Sequence, residues 1–338
     1  MKAPKHTHVV LLMADQFRRD MLSCYGGVHE ATPSLDKLAG ECAVMDRAYC
    51  ASPLCVPTRT AIYTGMLPHR SGAVVNGWTP VEEPHSRLKP EIPTLYEHLA
   101  GHGYNVTHIG VDHVRSIPPI HERVPDMRYV SNSHYKEHLK RKGIAPPDLS
   151  YTKAPCLDYD DGRPITINYT TARTGKFPYP PEDFLDCWWA GEAEKAIEEL
   201  DPQQPQFIEA LFWAPHVPLV APEPYYSMYR RDGIELPPTV GKWCEGQPAS
   251  LLTHIPGHFG IMYRREEWRE PWAVYLGLVR LVDECIGRVV AALKRKGIWE
   301  NALVIFMPDH GEMLGSHSLF QKMCCLLYTS PSPRDRTR

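Results

Sequence analysis

A few short segments hold the side chains best suited to chemistry. In Pro308-Asp309-His310-Gly311-Glu312 a carboxylate stands beside an imidazole, directly after the apolar run 302–307. That pairing suits a hard or borderline divalent metal ion. Asp15-Gln16 closes a second apolar run, 9–14. Asp and Gly are also turn residues, so either segment alone fits an ordinary turn. A third segment is Leu54-Cys55-Val56-Pro57-Thr58-Arg59. A cysteine just ahead of a helix meets free backbone N–H groups and the positive end of the helix dipole. Such a setting lowers a thiol pKa and cradles an anion. Arg59 lies one turn further and can add a charge-assisted bond. A buried, inert cysteine is the alternative reading.

These residues need elements to position them. Apolar patterning predicts strands at 8–14, 44–49, 104–109, 207–213 and 302–307, the last one buried. Helices are predicted at 57–63, opened by Pro57 and closed by Gly65, and at 94–100, 184–200 and 272–296. A further helix opens at Thr32-Pro33. Lys294-Arg295-Lys296 ends the longest one, where cations favour the dipole. Alternating strands and helices predict an α/β fold with a mostly parallel central sheet and helices on both faces. Ligands of such sheets gather beyond the carboxyl ends of the strands. Asp15, Asp112-His113, His216 and Asp309-His310 each follow a strand, so four distant stretches should meet at one edge. Residues 115–180 and 216–260 read as irregular, the former as an insertion forming a lid or substrate wall. Trp188, Trp189, Trp243 and Trp268 read as packing residues.

Composition narrows the class. The 338 residues are 43% hydrophobic and 23% charged, with a formal net charge of -3. No global basic field draws the chain to nucleic acid or an anionic membrane. No apolar run approaches the ~20 residues of a bilayer span. The start lacks a signal-peptide pattern, so a cytoplasmic location is expected. Ten cysteines include no C-x-x-C pair, which argues against a zinc knuckle or thioredoxin-type motif.

The stretch Cys55-Val56-Pro57-Thr58-Arg59, followed by Thr64-Gly65, resembles the C-x-P-x-R…T-G signature of the sulfatase family. Other landmarks agree. Asp15-Gln16 resembles the family's first metal ligands, and 32–39 its T-P-N-L-D-x-L-A helix. Pro215-His216-x-Pro218 resembles its P-H-x-P segment. Asp309-His310-Gly311-Glu312-Met313-Leu314-Gly315-x-His317, with Lys322 beyond, resembles D-H-G-E-x-L-G-x-H…K. The resemblance implies an alkaline-phosphatase-like fold. It implies Asp15, Gln16, Asp309 and His310 as ligands of Ca2+, or of Mn2+ or Mg2+. Cys55, oxidised to formylglycine by a maturase, would complete that shell. It gives catalytic roles to Cys55, Arg59, His113, His216 and Lys322, and substrate contacts to Asn76 and His317. The substrate would be a small-molecule or carbohydrate sulfate ester.

Two departures qualify this. Where many sulfatases carry G-K-x-H, the chain reads Gly110-Val111-Asp112-His113, one cation fewer. With Asn76 and the D-Q form, this resembles the phosphonate monoester hydrolase and choline-sulfatase branch, so a phosphonate or phosphodiester substrate is an alternative. The segment after Lys322 departs from the family, and its polar, proline-broken end reads as a non-native tail. A catalytic domain is therefore expected over 1–322 and a tail over 323–338, with a smaller C-terminal domain missing. An inactive fragment or a non-catalytic binding fold is the third reading.

Overall fold

A computed structural model describes residues 8–160 and 162–324. The expected tail lies, from residue 325 onward, outside the described residues. In chain order the strands are β1 (His8–Ala14), β2 (Asn105–Gly110), β3 (Arg128–Val130), β4 (Lys153–Asp160), β5 (Arg163–Thr170), β6 (Thr174–Lys176), β7 (Gln206–Phe212), β8 (Leu219–Ala221) and β9 (Ala302–Pro308). The principal helices are α1 (Pro33–Glu41), α2 (Cys55–Thr64), α3 (Leu95–Gly101), α4 (Asn132–Lys142), α5 (Leu185–Glu199) and α6 (Arg269–Lys296). None of the described helices is long and apolar enough to cross a membrane.

The central sheet runs β3-β2-β7-β1-β9, and every pairing in it is parallel. Successive side chains of a strand point to opposite faces, and β1 shows the result. Val10, Leu12 and Ala14 join a core that includes residues of α1, α5 and α6. Leu11 and Met13 join a second core with Tyr63 of α2 and Tyr96 of α3. Helices therefore cover both faces, as the patterning predicts. Because the strands are parallel, β2, β7, β1 and β9 deliver their carboxyl ends to the same edge. Ala14 pairs with Pro308, so Asp15 and Asp309 leave the sheet side by side.

Several expectations need correction. Residues 44–49 form no strand; they lie in an exposed loop, and Val44, Met45 and Tyr49 face solvent. Apolar content there has no neighbouring strand to satisfy its backbone groups. The stretch 302–307 is the outermost strand of the described sheet rather than a buried one, with Leu303 53% and Ile305 37% exposed. The described residues of 115–180 include α4 and an antiparallel hairpin, β4–β5. The sequence signal for it is Asp-Gly at 161–162, a pair that favours two-residue hairpin connections. Residues 216–260 carry β8, one 3-10 turn and two short α-helices but are otherwise irregular. Trp188, Trp189 and Trp268 are buried, whereas Trp243 is exposed.

A pair of tertiary hydrogen bonds ties the start of α1 to α6. The first N–H groups of a helix lack intrahelical partners. Here Asp283 of α6 supplies them: its Oδ2 accepts from Ser34 N–H (2.9 Å) and its Oδ1 from Leu35 N–H (2.8 Å). Its carboxylate also faces the positive end of the α1 dipole. Asp283→Ala should lower unfolding free energy by about 1–3 kcal/mol in denaturant titration. Asp283→Asn, which keeps an acceptor, should lose less.

Candidate active site

Cys55 opens α2, two residues earlier than the sequence predicts, so Pro57 sits in the first turn where its missing N–H costs nothing. This start changes what the helix end can do. Val56 N–H donates to Asn76 Oδ1 (3.1 Å), Pro57 has no N–H, and Thr58 N–H donates to Leu54 O (3.1 Å). At most the Cys55 N–H is left for a ligand. The expected backbone cradle for an anion is therefore absent from α2, and side chains must take its place. Asn76 serves the helix rather than an open contact.

Those side chains converge on Cys55 Sγ. Lys322 Nζ donates to it at 2.7 Å, His310 Nε2 lies at 3.1 Å, and the thiol faces Asp15 Oδ1 at 3.6 Å. Arg59, one turn along α2, is buried and ties the two acidic strand ends together. Its Nη2 donates to Asp15 Oδ2 and its Nε to Asp309 Oδ2, both at 2.9 Å. Its Nη1 donates to Val111 O (3.2 Å). Asp309 Oδ1 also accepts from the backbone N–H groups of Gln16 (3.0 Å) and His310 (2.8 Å).

Both histidines near the sulfur have a defined tautomer. His310 Nδ1 lies 3.0 Å from Gly311 O, and His216 Nδ1 lies 2.6 Å from Val217 O. A carbonyl only accepts, so each Nδ1 carries the proton and each Nε2 presents a lone pair. That of His216 accepts from Lys322 Nζ at 2.7 Å. Asp186, a buried carboxylate of α5, accepts from Trp213 N–H (2.6 Å) and Ala214 N–H (3.0 Å) and so fixes the turn that carries His216. His113 Nδ1 stands 3.7 Å from Asp15 Oδ2, with its ring edge-on to Trp213. His317 is placed differently. Its backbone N–H is held by Thr239 O (2.9 Å), and it lies outside the ligand group around Cys55.

Ligand atoms of Asp15, Cys55, Asp309 and His310 all lie within 4.8 Å of one another. Gln16 belongs beside them. Its side-chain N–H donates to Glu312, while its Oε1 is buried with no hydrogen-bond partner. An amide oxygen left bare in a buried site is costly. Two carboxylates, one imidazole lone pair and this carbonyl form a donor set that fits a hard or borderline divalent cation. Glu312, which the sequence reading left without a role, is the second-layer anchor. It also accepts from Leu314 N–H (2.8 Å) and Gln321 N–H (2.6 Å), ordering the loop that leads to Lys322.

Electrostatics follow from burial. Asp15 is pushed up to about 7, by loss of solvent and then by the Asp309 carboxylate. Burial pushes Asp309 the same way, but His310, Arg59 and the Gln16 N–H outweigh it and hold it below the usual carboxylate range. His310 is lowered to about 4 by burial. Burial, followed by the Asp15 carboxylate, pushes the Cys55 thiol up to about 12, against Lys322 and Arg59. The expectation of an acidic thiol is thus reversed. In the native, unconverted chain at pH 8, Cys55 should react with iodoacetamide at least about tenfold more slowly than exposed Cys42. Peptide mapping after timed labelling measures this, and denaturation should equalise the two.

Known proteins are similar to this chain in sequence and fold. The profile of the family described as Sulfatase matches residues 7–324. The chain is 28% identical to the arylsulfatase of Clostridium perfringens over 324 residues, covering 93% of this chain and 65% of that protein. It is 25% identical to the multifunctional alkaline phosphatase superfamily protein PehA of Trinickia caryophylli, covering 94% of this chain and 65% of the relative. It thus spans just under two thirds of the length of these two relatives. Its fold is similar to that of the phosphonate monoester hydrolase of Agrobacterium radiobacter, with a TM-score of 0.67 at 22% identity over 94% of this chain and 67% of the other. With a family match that runs from the first strand to the loop beyond Lys322, this chain belongs to the sulfatase family.

Proposed function

We propose that this chain hydrolyses sulfate esters. Cys55 would act after oxidation by a formylglycine-generating maturase, beside a divalent cation held by Asp15, Gln16, Asp309 and His310. The observation that carries this reading is the convergence of Lys322 Nζ, His310 Nε2 and Asp15 Oδ1 on one sulfur atom, at 2.7, 3.1 and 3.6 Å. A thiol pushed up to about 12 is a weak nucleophile. Its surroundings suit an oxygen nucleophile better. When formed, the hydrated aldehyde supplies that hydroxyl, and the cation, Ca2+ foremost with Mn2+ and Mg2+ as alternatives, offsets charge on the transferred group.

The chain's own residues do the rest. Arg59 holds the two acidic ligands in register with residue 55. Lys322 and His216 share a proton 2.7 Å apart, beside the reacting position. That pair would supply the proton needed by the leaving oxygen. His113 would meet the transferred group from the Asp15 side. A role for His317 in substrate binding rests on the resemblance alone. The likeness to an arylsulfatase supports a small-molecule sulfate ester as substrate, and that to an N-acetylglucosamine-6-O-sulfatase (24% identical) supports a carbohydrate sulfate ester.

One observation favours a second reading. Val111 is buried where the resemblance expects a lysine, and its carbonyl is committed to Arg59. A site short of one cation leaves room for a phosphonate monoester or phosphodiester. The likeness to a phosphonate monoester hydrolase agrees, and PehA is described as multifunctional.

Co-expression with a maturase should lighten the tryptic peptide 48–59 by roughly 18 Da, with fragmentation placing the change on Cys55 rather than Cys50. The converted chain should then cleave an aryl sulfate faster than a phosphodiester or a phosphonate monoester. The reverse order selects the second reading. Chelation should abolish turnover and Ca2+ should restore it, whereas Gln16→Ala should weaken the cation at least about tenfold. Conversion with bound cation but no turnover of any ester would leave a binding fold.

A further inference from the structure

One buried carboxyl group has no part in the chemistry above. Glu209 lies in β7, the middle strand of the sheet, and is fully buried. Alternation along β7 turns it to the face covered by α2 and α3, between Phe207 and Leu211 of the second core. A carboxyl group there is costly unless it is fully hydrogen-bonded. Three elements provide the bonds. Tyr63 of α2 donates to Oε1. Tyr96 of α3 donates to Oε2 at 2.5 Å, and His108 Nδ1 of β2 lies 2.6 Å from the same oxygen. The two tyrosine rings stack at 4.8 Å and 13°.

Tyr63 differs from the other two partners in what its element carries. Cys55, Arg59 and Tyr63 stand at i, i+4 and i+8 on α2, so they share one stripe of the helix. The first would be the nucleophile, the second ties the acidic ligands, and the third reaches Glu209. At the other end, Asn76 holds the Val56 N–H. The helix is thus gripped at its first turn and its last. α3 carries none of the residues placed in the active site.

We propose that Glu209 and Tyr63 are positioning residues: they fix the rotation of α2 on the sheet and thereby the seat of residue 55 and Arg59. This rests on the sulfate-ester reading for its effect on turnover, but not for its effect on geometry. A small misplacement of reacting groups can cost up to about a hundredfold in rate. Without the Tyr63 bond, α2 can roll about its axis while the core stays filled.

Tyr63→Phe and Tyr96→Phe make a matched pair, since each removes one hydroxyl from the same carboxyl group and leaves a ring in place. Both should lower stability to denaturant by similar amounts. In the unconverted chain, Tyr63→Phe should speed iodoacetamide labelling of Cys55 at least about threefold, and Tyr96→Phe should not. In the converted chain, Tyr63→Phe should lower kcat about tenfold with KM unchanged, while Tyr96→Phe stays within about twofold. Equal effects of the two variants on both readouts would overturn the proposal. If the wild-type chain turns over no ester, the functional reading fails, and the labelling comparison still decides the role of Tyr63.

Discussion

The buried fork of Arg59 is the interaction on which the site depends. Parallel pairing of β1 with β9 forces Asp15 and Asp309 together at the sheet edge, out of contact with solvent. Two like charges in that setting would cost several kcal/mol if left unpaired. A guanidinium can bond two carboxylates and a carbonyl in one rigid plane, which an ammonium cannot do. Arg59 does so, and it sits one turn from Cys55. Charge compensation and placement of Cys55 are therefore one structural event.

The two carboxylates are not equivalent, and their partners explain why. Asp309 receives Arg59, two backbone N–H groups and the field of His310, and is held low. Asp15 shares Arg59 and gains Lys322 and the thiol, but burial, followed by the Asp309 carboxylate, carries it to about 7. A divalent cation among these groups would favour the ionised form of both. The bare Oε1 of Gln16 points to the same need from a neutral atom, which titration does not affect.

Much of this was legible in the sequence because parallel topology turns strand ends into a shared address. Asp15, His113, His216 and Asp309 each follow a predicted strand, and the sheet brings β2, β7, β1 and β9 together in that edge. What failed to read depended on tertiary partners. The loop 44–49 has strand-like composition but no neighbour. Glu209 stood inside the predicted strand 207–213, and a lone carboxylate in an apolar run signals a buried network, but its partners lie on α2, α3 and β2. The service of Asn76 to the helix end, and that of Glu312 to the Lys322 loop, depends on backbone positions that no spacing rule supplies.

Cys55 shows how the structure can replace the argument that first singles a residue out. Its place at a helix start suggested an acidic thiol over a cradle of N–H groups. The helix end is instead nearly spent: Asn76 takes one N–H, Leu54 another, and Pro57 offers none. Burial then raises the thiol rather than lowering it. On the proposed reading, positive charge for an anionic ester would come from Lys322, Arg59 and a bound cation, because the spent helix end and the apolar Val111 offer little. Recognition of the transferred group would then fall to side chains of α2 and of the loop that carries Lys322. That makes the orientation of α2, rather than its dipole, the property that the fold must protect.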